Sequence, residues 1–434
     1  MTEHPASASR TTSRRHFLKQ STVAVVGGTL AATLGSARMA HADGNDTLKV
    51  GLIGCGGRGM GAAVNAMNAD KQVCLTALAD LFSDRIESAK TGLAKELGDK
   101  YQVPNEQCFV GFDAYQKMMA TDIDVVLLAT SPHYRPLHLK AAVDAGKHIF
   151  CEKPVAVDPT GVRSVLATSA EAEKKGLNIV SGLCWRYDLG VRETINRIRD
   201  GAIGEIRAIH ENYLTGTLWL HPRKPEWSEM EYQNRNWLYY NWLSGDHIVE
   251  QFVHSLDKSM WLMGDQPPAR CFGLGGRQAR IEPEYGPIYD HFAVCYEWEN
   301  GVKSFAYTRQ MKNCFSNVDD YVIGTTGHAQ VLAKGSNGLI NGETVYKGEK
   351  PGMYDYEHQE LFKAIRDGKP INNGRYMSQS TMLAIMGREA CYSGQSLEWD
   401  AALNAEMRLG PTTYEWGNVP VDSVPMPGVT AFPR

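Results

Sequence analysis

Short apolar runs alternate with amphipathic stretches over the first half of the chain. The runs LKVGLIG from residue 48, VCLTALAD from residue 73, DVVLLAT from residue 124 and KHIFCEKP from residue 147 are typical of buried strands. A helical pattern, MGAAVNAMNA, lies between the first two. Strands that alternate with helices in this way predict a doubly wound parallel sheet with helices on both faces.

The pattern changes in the second half. Longer alternating runs, IRAIHENYL, DHFAVCYEW and VKSFAYTRQ, predict a second α/β domain with an open, mostly antiparallel sheet. An aromatic-rich segment (residues 218–246) and one predicted helix, DHIVEQFVHSLDKSMWLMG, lie between the first two runs. Late helices near residues 355–367 and 377–393 are expected to pack back on the first domain.

The N-terminal residues have the pattern of an export signal. A basic patch that contains the SRRHFLK stretch precedes the apolar run STVAVVGGTLAATLG and a small-residue site ending at Ala42. The run is shorter than the ~18 residues that span a bilayer. We therefore predict a twin-arginine signal peptide over residues 1–42 and delivery by the twin-arginine export machinery, so that the protein is periplasmic or otherwise exported. An ordinary basic leader or a retained anchor is the alternative.

Three further segments follow the leader in this interpretation. They are a dinucleotide-binding domain over residues 43–181, a substrate-binding and oligomerisation domain over residues 182–410, and a C-terminal arm over residues 411–434. With the leader's five basic and one acidic residue removed, 40 basic and 48 acidic side chains remain, a net charge of −8. This charge disfavours nucleic acid as a partner. The sequence after the leader has no second long apolar segment, so stable membrane insertion is not expected. The nine cysteines form no C-x-x-C pair, which agrees with folding in a reducing compartment before export.

A glycine-rich loop directly follows the first predicted strand. Gly54, Gly56 and Gly59 fit G-x-G-x-x-G, with Gly57 and Arg58 inside the motif. Such a loop turns the chain, lets the backbone approach a pyrophosphate and lets helix pack on strand, so it predicts a dinucleotide site.

The end of the second predicted strand carries a carboxylate. Asp80 lies 21 residues beyond Gly59, where a carboxylate accepts hydrogen bonds from the adenosine ribose and repels a 2′-phosphate. The cofactor prediction is therefore NAD, with NADP less favoured. The alternative is that Asp80 only caps the next helix.

A Glu-Lys-Pro triplet ends another buried strand. It places Lys153 at the carboxyl edge of the sheet, where ligands bind in this architecture. A lysine there can polarise a hydroxyl or carbonyl oxygen beside a nicotinamide. The alternative is a surface lysine in a salt bridge with Glu152.

The predicted helix after the aromatic segment carries Glu250, His254 and Asp257, whose spacing puts them on one helical face. A histidine held by a carboxylate is the usual form of a general base near neutral pH. No further His or Cys set has matching spacing, so no metal is predicted. A buried structural histidine is the alternative.

These elements together resemble the Gfo/Idh/MocA superfamily of oxidoreductases. The resemblance implies a Rossmann domain followed by an open-sheet domain, a homo-oligomer, and Lys153 and His254 on either side of the reacting carbon. It also implies that Glu152 lies at the cofactor and that Arg186 lies near the substrate. The loop that lines the nicotinamide matches Thr130, Pro132 and His133. Glu250 departs from the family, which usually has Asp at this position.

The aromatic segment suggests the substrate class. Stacked aromatic faces bind sugars and polyols, so Trp219, Trp237 and Tyr240, with Asp257, are candidate substrate contacts. The alternative is packing in a domain or subunit interface. The predicted function is an exported oxidoreductase of a sugar, polyol or sugar derivative with a tightly held, internally recycled cofactor. The alternatives are an NAD-dependent glycosidase or lyase, and a non-catalytic carbohydrate-binding or sensor protein.

Overall fold

The computed structural model describes residues 46–332 and 337–432, so the predicted signal peptide lies outside the described residues. Its first domain is the predicted doubly wound α/β unit, with a parallel sheet in the order β3-β2-β1-β4-β5-β6. The strands are β1 Leu48–Ile53, β2 Val73–Asp80, β3 Cys108–Val110, β4 Val125–Leu128, β5 His148–Cys151 and β6 Ile179–Ser181. The helices are α1 Gly57–Ala69, α2 Ser83–Leu97, α3 Ala114–Met119, α4 Arg135–Asp144 and α5 Pro159–Lys174.

The strand order reverses between β1 and β4, which pair in parallel at the centre of this sheet. Open α/β sheets bind ligands outside the carboxyl ends of the strands at such a switch point. The side chains of β1 and β4 are almost wholly buried, because helices cover both faces of the sheet. The fold therefore opens a crevice between the loops that follow β1 and β4.

The second domain contains a nine-stranded sheet in the order β14-β13-β12-β11-β7-β10-β9-β8-β15. Only β7 and β10 pair in parallel, so the mostly antiparallel prediction is confirmed. Buried and exposed residues alternate along β10, which shows that helices cover one face only. The strands are β7 Ile206–Thr215, β8 Arg270–Gly276, β9 His291–Glu297, β10 Lys303–Gln310, β11 Asn317–Gly324, β12 His328–Leu332, β13 Leu339–Ile340, β14 Glu343–Thr344 and β15 Leu397–Glu398.

The remaining helices cover that face or return to the first domain. The late pair, α11 and α12, packs on α1 and α5 as predicted. No helix among the described residues is long and apolar enough to cross a bilayer. The helices are α6 Leu189–Arg199, α7 Glu229–Arg235, α8 Asn241–Ser244, α9 His247–Glu250, α10 Val253–Leu262, α11 Met353–Asp367, α12 Gly374–Ser393 and α13 Trp399–Asn404.

The single helix predicted after the aromatic segment is wrong, because the chain breaks into α9 and α10. The amide of Phe252 donates to the carbonyl of His247, five residues back, whereas the amide of His254 donates to Gln251, three residues back. A regular helix bonds each amide to the carbonyl four residues back. Glu250 therefore ends one helix and His254 begins the next, so they do not share a helical face.

Packing of α11 on the first domain buries an ionisable group, His358. Burial lowers the pKa of His358 to about 4, and its ring lies 4.2 Å from that of Phe150. The unfolded chain takes up this proton at about pH 6.5 and the folded chain only near the lowered value, so acid favours unfolding. We expect this histidine to cost ~2 kcal/mol of stability between pH 7 and pH 5. Denaturant titrations at both pH values should show a smaller loss for His358→Gln than for the unsubstituted protein, and equal losses would contradict the prediction.

Candidate active site

The glycine loop has the shape that a dinucleotide requires. Gly54 has φ +99°, in the left-handed region, and a Cβ there would lie 2.6 Å from the carbonyl carbon of Ala129. A Cβ on Gly59 would collide with the carbonyl oxygen of Gly54. In contrast, a Cβ on Gly56 or Gly57 would meet no atom within 4 Å. The loop therefore leaves open space at the amino end of α1, where backbone amides can hold a pyrophosphate.

Because a Cβ on Gly56 would meet no protein atom, a substitution there can test cofactor binding without disturbing the fold. We expect Gly56→Ala to leave thermal stability almost unchanged but to weaken NADH binding by about tenfold, since a methyl group would occupy the approach of the pyrophosphate. Gly92→Ala, in α2, is a matched control whose new methyl group would make only an ordinary 3.8 Å contact with Met60. Fluorescence titration with NADH measures both variants, and equal affinities would contradict the assignment of the loop.

The structure places Asp80 beside the glycine loop at the end of β2. One carboxylate oxygen accepts from the amide of Cys55 at 2.7 Å, and the other accepts from the amide of Phe82 at 2.9 Å. Phe82 precedes α2, and no side chain among the described residues caps the first turn of this helix, so Asp80 holds the loop rather than the helix end. Burial raises the pKa of this carboxyl group. A carboxylate has about four lone-pair sites, so two backbone contacts leave acceptor capacity for ribose hydroxyls.

A charged network joins the glycine loop to the Glu-Lys-Pro turn. Arg58 donates to the buried Glu152 at 2.5 Å and lies 3.4 Å from Glu357 of α11. Its guanidinium also lies 4.5 Å from the centre of the Tyr354 ring. Burial and the neighbouring Glu152 carboxylate raise the pKa of Glu357. Sequence reasoning missed Tyr354 and Glu357, because nothing local in α11 indicates that it reaches this loop.

Lys153 faces the second domain. Its ammonium donates to the backbone carbonyl of Glu250 at 2.5 Å and to the carboxylate of Glu250 at 3.1 Å. Both side chains are largely buried. The alternative partner, Glu152, bonds to Arg58 instead, so the surface salt bridge considered from the sequence is wrong. The pair Lys153–Glu250 connects the two domains at the mouth of the crevice.

His254 lies close to this pair without a hydrogen bond to Glu250. Its Nδ1 is buried and has no partner among the described residues. Burial, and next the positive charge of Lys153, hold the pKa of His254 well below its usual range. The imidazole is therefore neutral at physiological pH and can accept a proton. Tyr213 of β7 lies near the Glu250 carboxylate and was not predicted from the sequence. Burial, and next the negative charge of Glu250, raise the pKa of Tyr213.

The loop after β4 lines the same crevice. Thr130 lies with its hydroxyl 3.3 Å from Nδ1 of His138, and Pro132 is buried. Burial lowers the pKa of His133 to about 3. Arg135, another residue missed from the sequence, donates to the backbone carbonyl oxygens of Thr130 and Pro154, and so ties this loop to the Glu-Lys-Pro turn.

The structure places Arg186 and Asp257 together in a buried ion pair. Arg186 forms a two-pronged ion pair with Asp257, whose side chain is only 1% exposed, and a second pair with Asp265 at 2.5 Å. Ser380 of α12 donates to the same Asp257 carboxylate at 2.7 Å. The charged and polar atoms of these side chains bind one another, because an unpaired buried charge would destabilise the fold. The geometry assigns them to the packing of α10 against its neighbours.

The aromatic candidates divide into exposed and buried residues. Trp219 is 41% exposed, and its ring lies 6.0 Å from that of Trp237, which is half-buried. Tyr240 is 2% exposed and lies inside an apolar cluster of this segment. Tyr240 therefore packs inside this apolar cluster, whereas Trp219 and Trp237 keep an accessible face.

Comparison with known proteins agrees with this architecture. Residues 48–179 match the family model GFO_IDH_MocA, described as "Oxidoreductase family, NAD-binding Rossmann fold". A glycosyl hydrolase family 109 protein from Solibacter usitatus is 29% identical over 232 residues, 52% of this chain and 52% of that protein. An inositol 2-dehydrogenase from Salmonella typhimurium is 24% identical over 366 residues, 80% of this chain and 94% of that protein. The chain thus matches only about half the length of the first relative.

A solved structure shares the fold. The crystal structure of an aldose-aldose oxidoreductase from Caulobacter crescentus, complexed with glycerol, superposes with a TM-score of 0.62 at 17% identity, over 81% of this chain and 99% of that one. The fold and the family match thus define a Rossmann domain similar to those of an NAD-binding oxidoreductase family, followed by an open-sheet domain. More narrowly, residues 48–179 are similar to the Gfo/Idh/MocA family.

Proposed function

We propose that this protein is an exported, NAD-dependent oxidoreductase that acts on a CH–OH group of a sugar, polyol or sugar derivative. The observation that carries the proposal is the meeting of an open glycine cradle with a lysine and a neutral histidine at one crevice. The Salmonella relative, by its name, acts on inositol, a polyol. Acceptor capacity left on Asp80 favours NAD over NADP.

The roles follow from the charges at the crevice. When bound, the dinucleotide would supply the hydride acceptor or donor. Lys153, oriented by Glu250, would hydrogen-bond the substrate oxygen and stabilise negative charge that develops there. His254 would take up the hydroxyl proton during oxidation and return it during reduction. Trp219 and Trp237 remain candidate sugar contacts, whereas Arg186 and Asp257 would support the catalytic helix.

An exported protein of this kind would have to release its cofactor very slowly. The SRRHFLK leader supports passage of the folded protein through the twin-arginine pathway with its cofactor inside. With an association rate of about 10⁵–10⁷ M⁻¹s⁻¹, a residence time of about a day needs a dissociation constant of about 1–100 pM. All nine cysteines are free thiols and seven are buried, as expected for folding in a reducing compartment. Such a protein must regenerate its cofactor in place.

The first relative supports a second candidate function. The glycosyl hydrolase family 109 protein matches half of this chain. A redox-neutral glycosidase would use the same lysine, histidine and dinucleotide to borrow a hydride from its substrate and return it. The two functions differ in outcome, because only the oxidoreductase leaves one product oxidised and another reduced.

The test begins with protein purified from the exported fraction. Acid release followed by mass spectrometry identifies the bound nucleotide, and absorbance at ~340 nm then follows single-turnover reduction of bound NAD⁺ by a panel of polyols, aldoses and glycosides. We expect stoichiometric NAD(H), and reduction by at least one polyol or aldose. Glycoside cleavage without net oxidation would favour the second candidate. A protein that neither carries nor binds NAD(H) or NADP(H) would overturn both.

A further inference from the structure

A cavity lies beside Asp80 at the adenosine end of the crevice. In Rossmann domains the carboxylate at the end of β2 marks the adenosine ribose, so this cavity is where the adenosine half of the dinucleotide belongs. Phe112, in the loop after β3, lines this cavity, and Phe82 lies in the loop after β2. The residues that line the cavity include Asp80, Leu81, Gly111, Phe112, Tyr115 and Tyr134.

The described part of the C-terminal arm, residues 411–432, passes over these aromatic rings. Trp416 lies with its ring centre 4.9 Å from Phe112 and 5.7 Å from Phe82. Tyr414 stacks on Phe112 at 6.0 Å, and its hydroxyl lies 2.8 Å from Nε2 of His133. Trp416 is 48% exposed, so part of its ring is accessible to a ligand.

The arm is fixed on both sides of this crossing. Before it, the amide of Leu409 donates to Asp158 at 2.9 Å. After it, the carbonyl of Gly417 accepts from the amide of Met230 at 3.0 Å. Further along, the amide of Gly428 donates to a backbone carbonyl at the end of α12 at 2.9 Å. Residues 409–417 therefore bridge the first domain and the aromatic segment.

The aromatic segment also contacts these aromatic rings. The guanidinium of Arg235 lies 4.1 Å from the centre of the Phe82 ring and pairs with Asp84 at 3.0 Å. Asp84 begins α2, directly after the strand that carries Asp80. Residues from the aromatic segment and the arm thus meet around the rings of Phe82 and Phe112, and Phe112 also lines the cavity.

We propose that Tyr414 and Trp416 form a wall of the adenosine site, so that the arm holds the bound dinucleotide in place. The proposal rests on the proposed function. Adenine stacks well on aromatic faces, and the rings of Phe82, Phe112 and Trp416 provide such faces beside the ribose-binding Asp80. Because the arm is attached at both ends, the dinucleotide leaves only after contacts of residues 409–417 are broken. This arrangement slows release without any change at Lys153 or His254.

The test compares release rates from the full chain loaded with NADH. Loss of NADH fluorescence is followed after dilution into excess NAD⁺ for Tyr414→Ala, Trp416→Ala and Trp416→Leu. We expect each to release NADH at least about tenfold faster, because the leucine keeps apolar bulk but not the aromatic face. Val421→Ala, in an arm residue 51% exposed and beyond the crossing, is the control and should match the unsubstituted protein.

A truncated probe separates this wall from the rest of the site. Reduced nicotinamide mononucleotide lacks the adenosine half, so the Trp416 variants should bind it as the unsubstituted protein does. Equal NADH release from all variants, or equal weakening of both probes, would overturn the role of the arm while leaving the proposed function intact. A protein that binds neither NADH nor NADPH would overturn the proposed function instead.

Discussion

Replacing Lys153 with methionine should lower turnover by a factor of about 10²–10⁴, the usual effect of losing a positioned acid–base or charge-stabilising group. The ammonium is oriented by the two hydrogen bonds that it donates to Glu250. Methionine has similar length but cannot donate to a substrate oxygen. Single-turnover absorbance of the bound nicotinamide, with the substrate found by the polyol panel, measures the loss. Nucleotide content should stay unchanged, because the glycine loop and Asp80 hold the cofactor separately.

Two companion variants make this result specific. Lys153→Met leaves the largely buried Glu250 carboxylate without its partner, which could destabilise the fold by itself. The double variant Lys153→Met with Glu250→Gln removes that charge and should regain stability without regaining turnover. Lys140→Met, on the exposed face of α4, controls for the loss of a surface lysine. Turnover within about twofold of the unsubstituted protein would contradict a catalytic role.

The sequence predicted the first domain well because its signals are local. The buried strands, the glycine loop and the residue that ends β2 all lie in their expected context, and the order of elements leaves few topologies open. The mostly antiparallel second sheet followed from alternation in β7, β9 and β10. Each of these features depends on neighbours within a few tens of residues.

Other features of the site depend on contacts between distant segments. Arg58 meets Glu357 across 299 positions, and Lys153 meets Glu250 across 97. The break at Phe252 cannot be predicted from helical spacing, because the apolar pattern continues through it. Spacing alone therefore placed Glu250, His254 and Asp257 on one face, whereas the fold directs the first to Lys153 and the last to Arg186.

Breaking the buried Arg186–Asp257 pair gives the second large effect. Asp257→Asn should lower the free energy of unfolding by about 3–5 kcal/mol, because it leaves a buried guanidinium short of its compensating charge. The residual partner, Asp265, is a third exposed and compensates poorly. Asp265→Asn should therefore cost far less. Denaturant unfolding measures both variants, and the ratio of their effects reports how much of the Arg186 charge is balanced inside the core.

This measurement also decides between the two roles considered for Arg186 and Asp257. A pair that contacts substrate would raise KM when removed and leave stability nearly unchanged, whereas a packing pair changes stability first. Replacing both residues by apolar ones, Arg186→Met with Asp257→Leu, should recover much of the stability lost in Asp257→Asn, since no unpaired charge remains buried. Recovery of stability with an unchanged KM would assign the pair to the packing of α10 and exclude a contact with substrate. A double variant as unstable as the single one would contradict this, because the cost would then come from lost shape rather than from an unpaired charge.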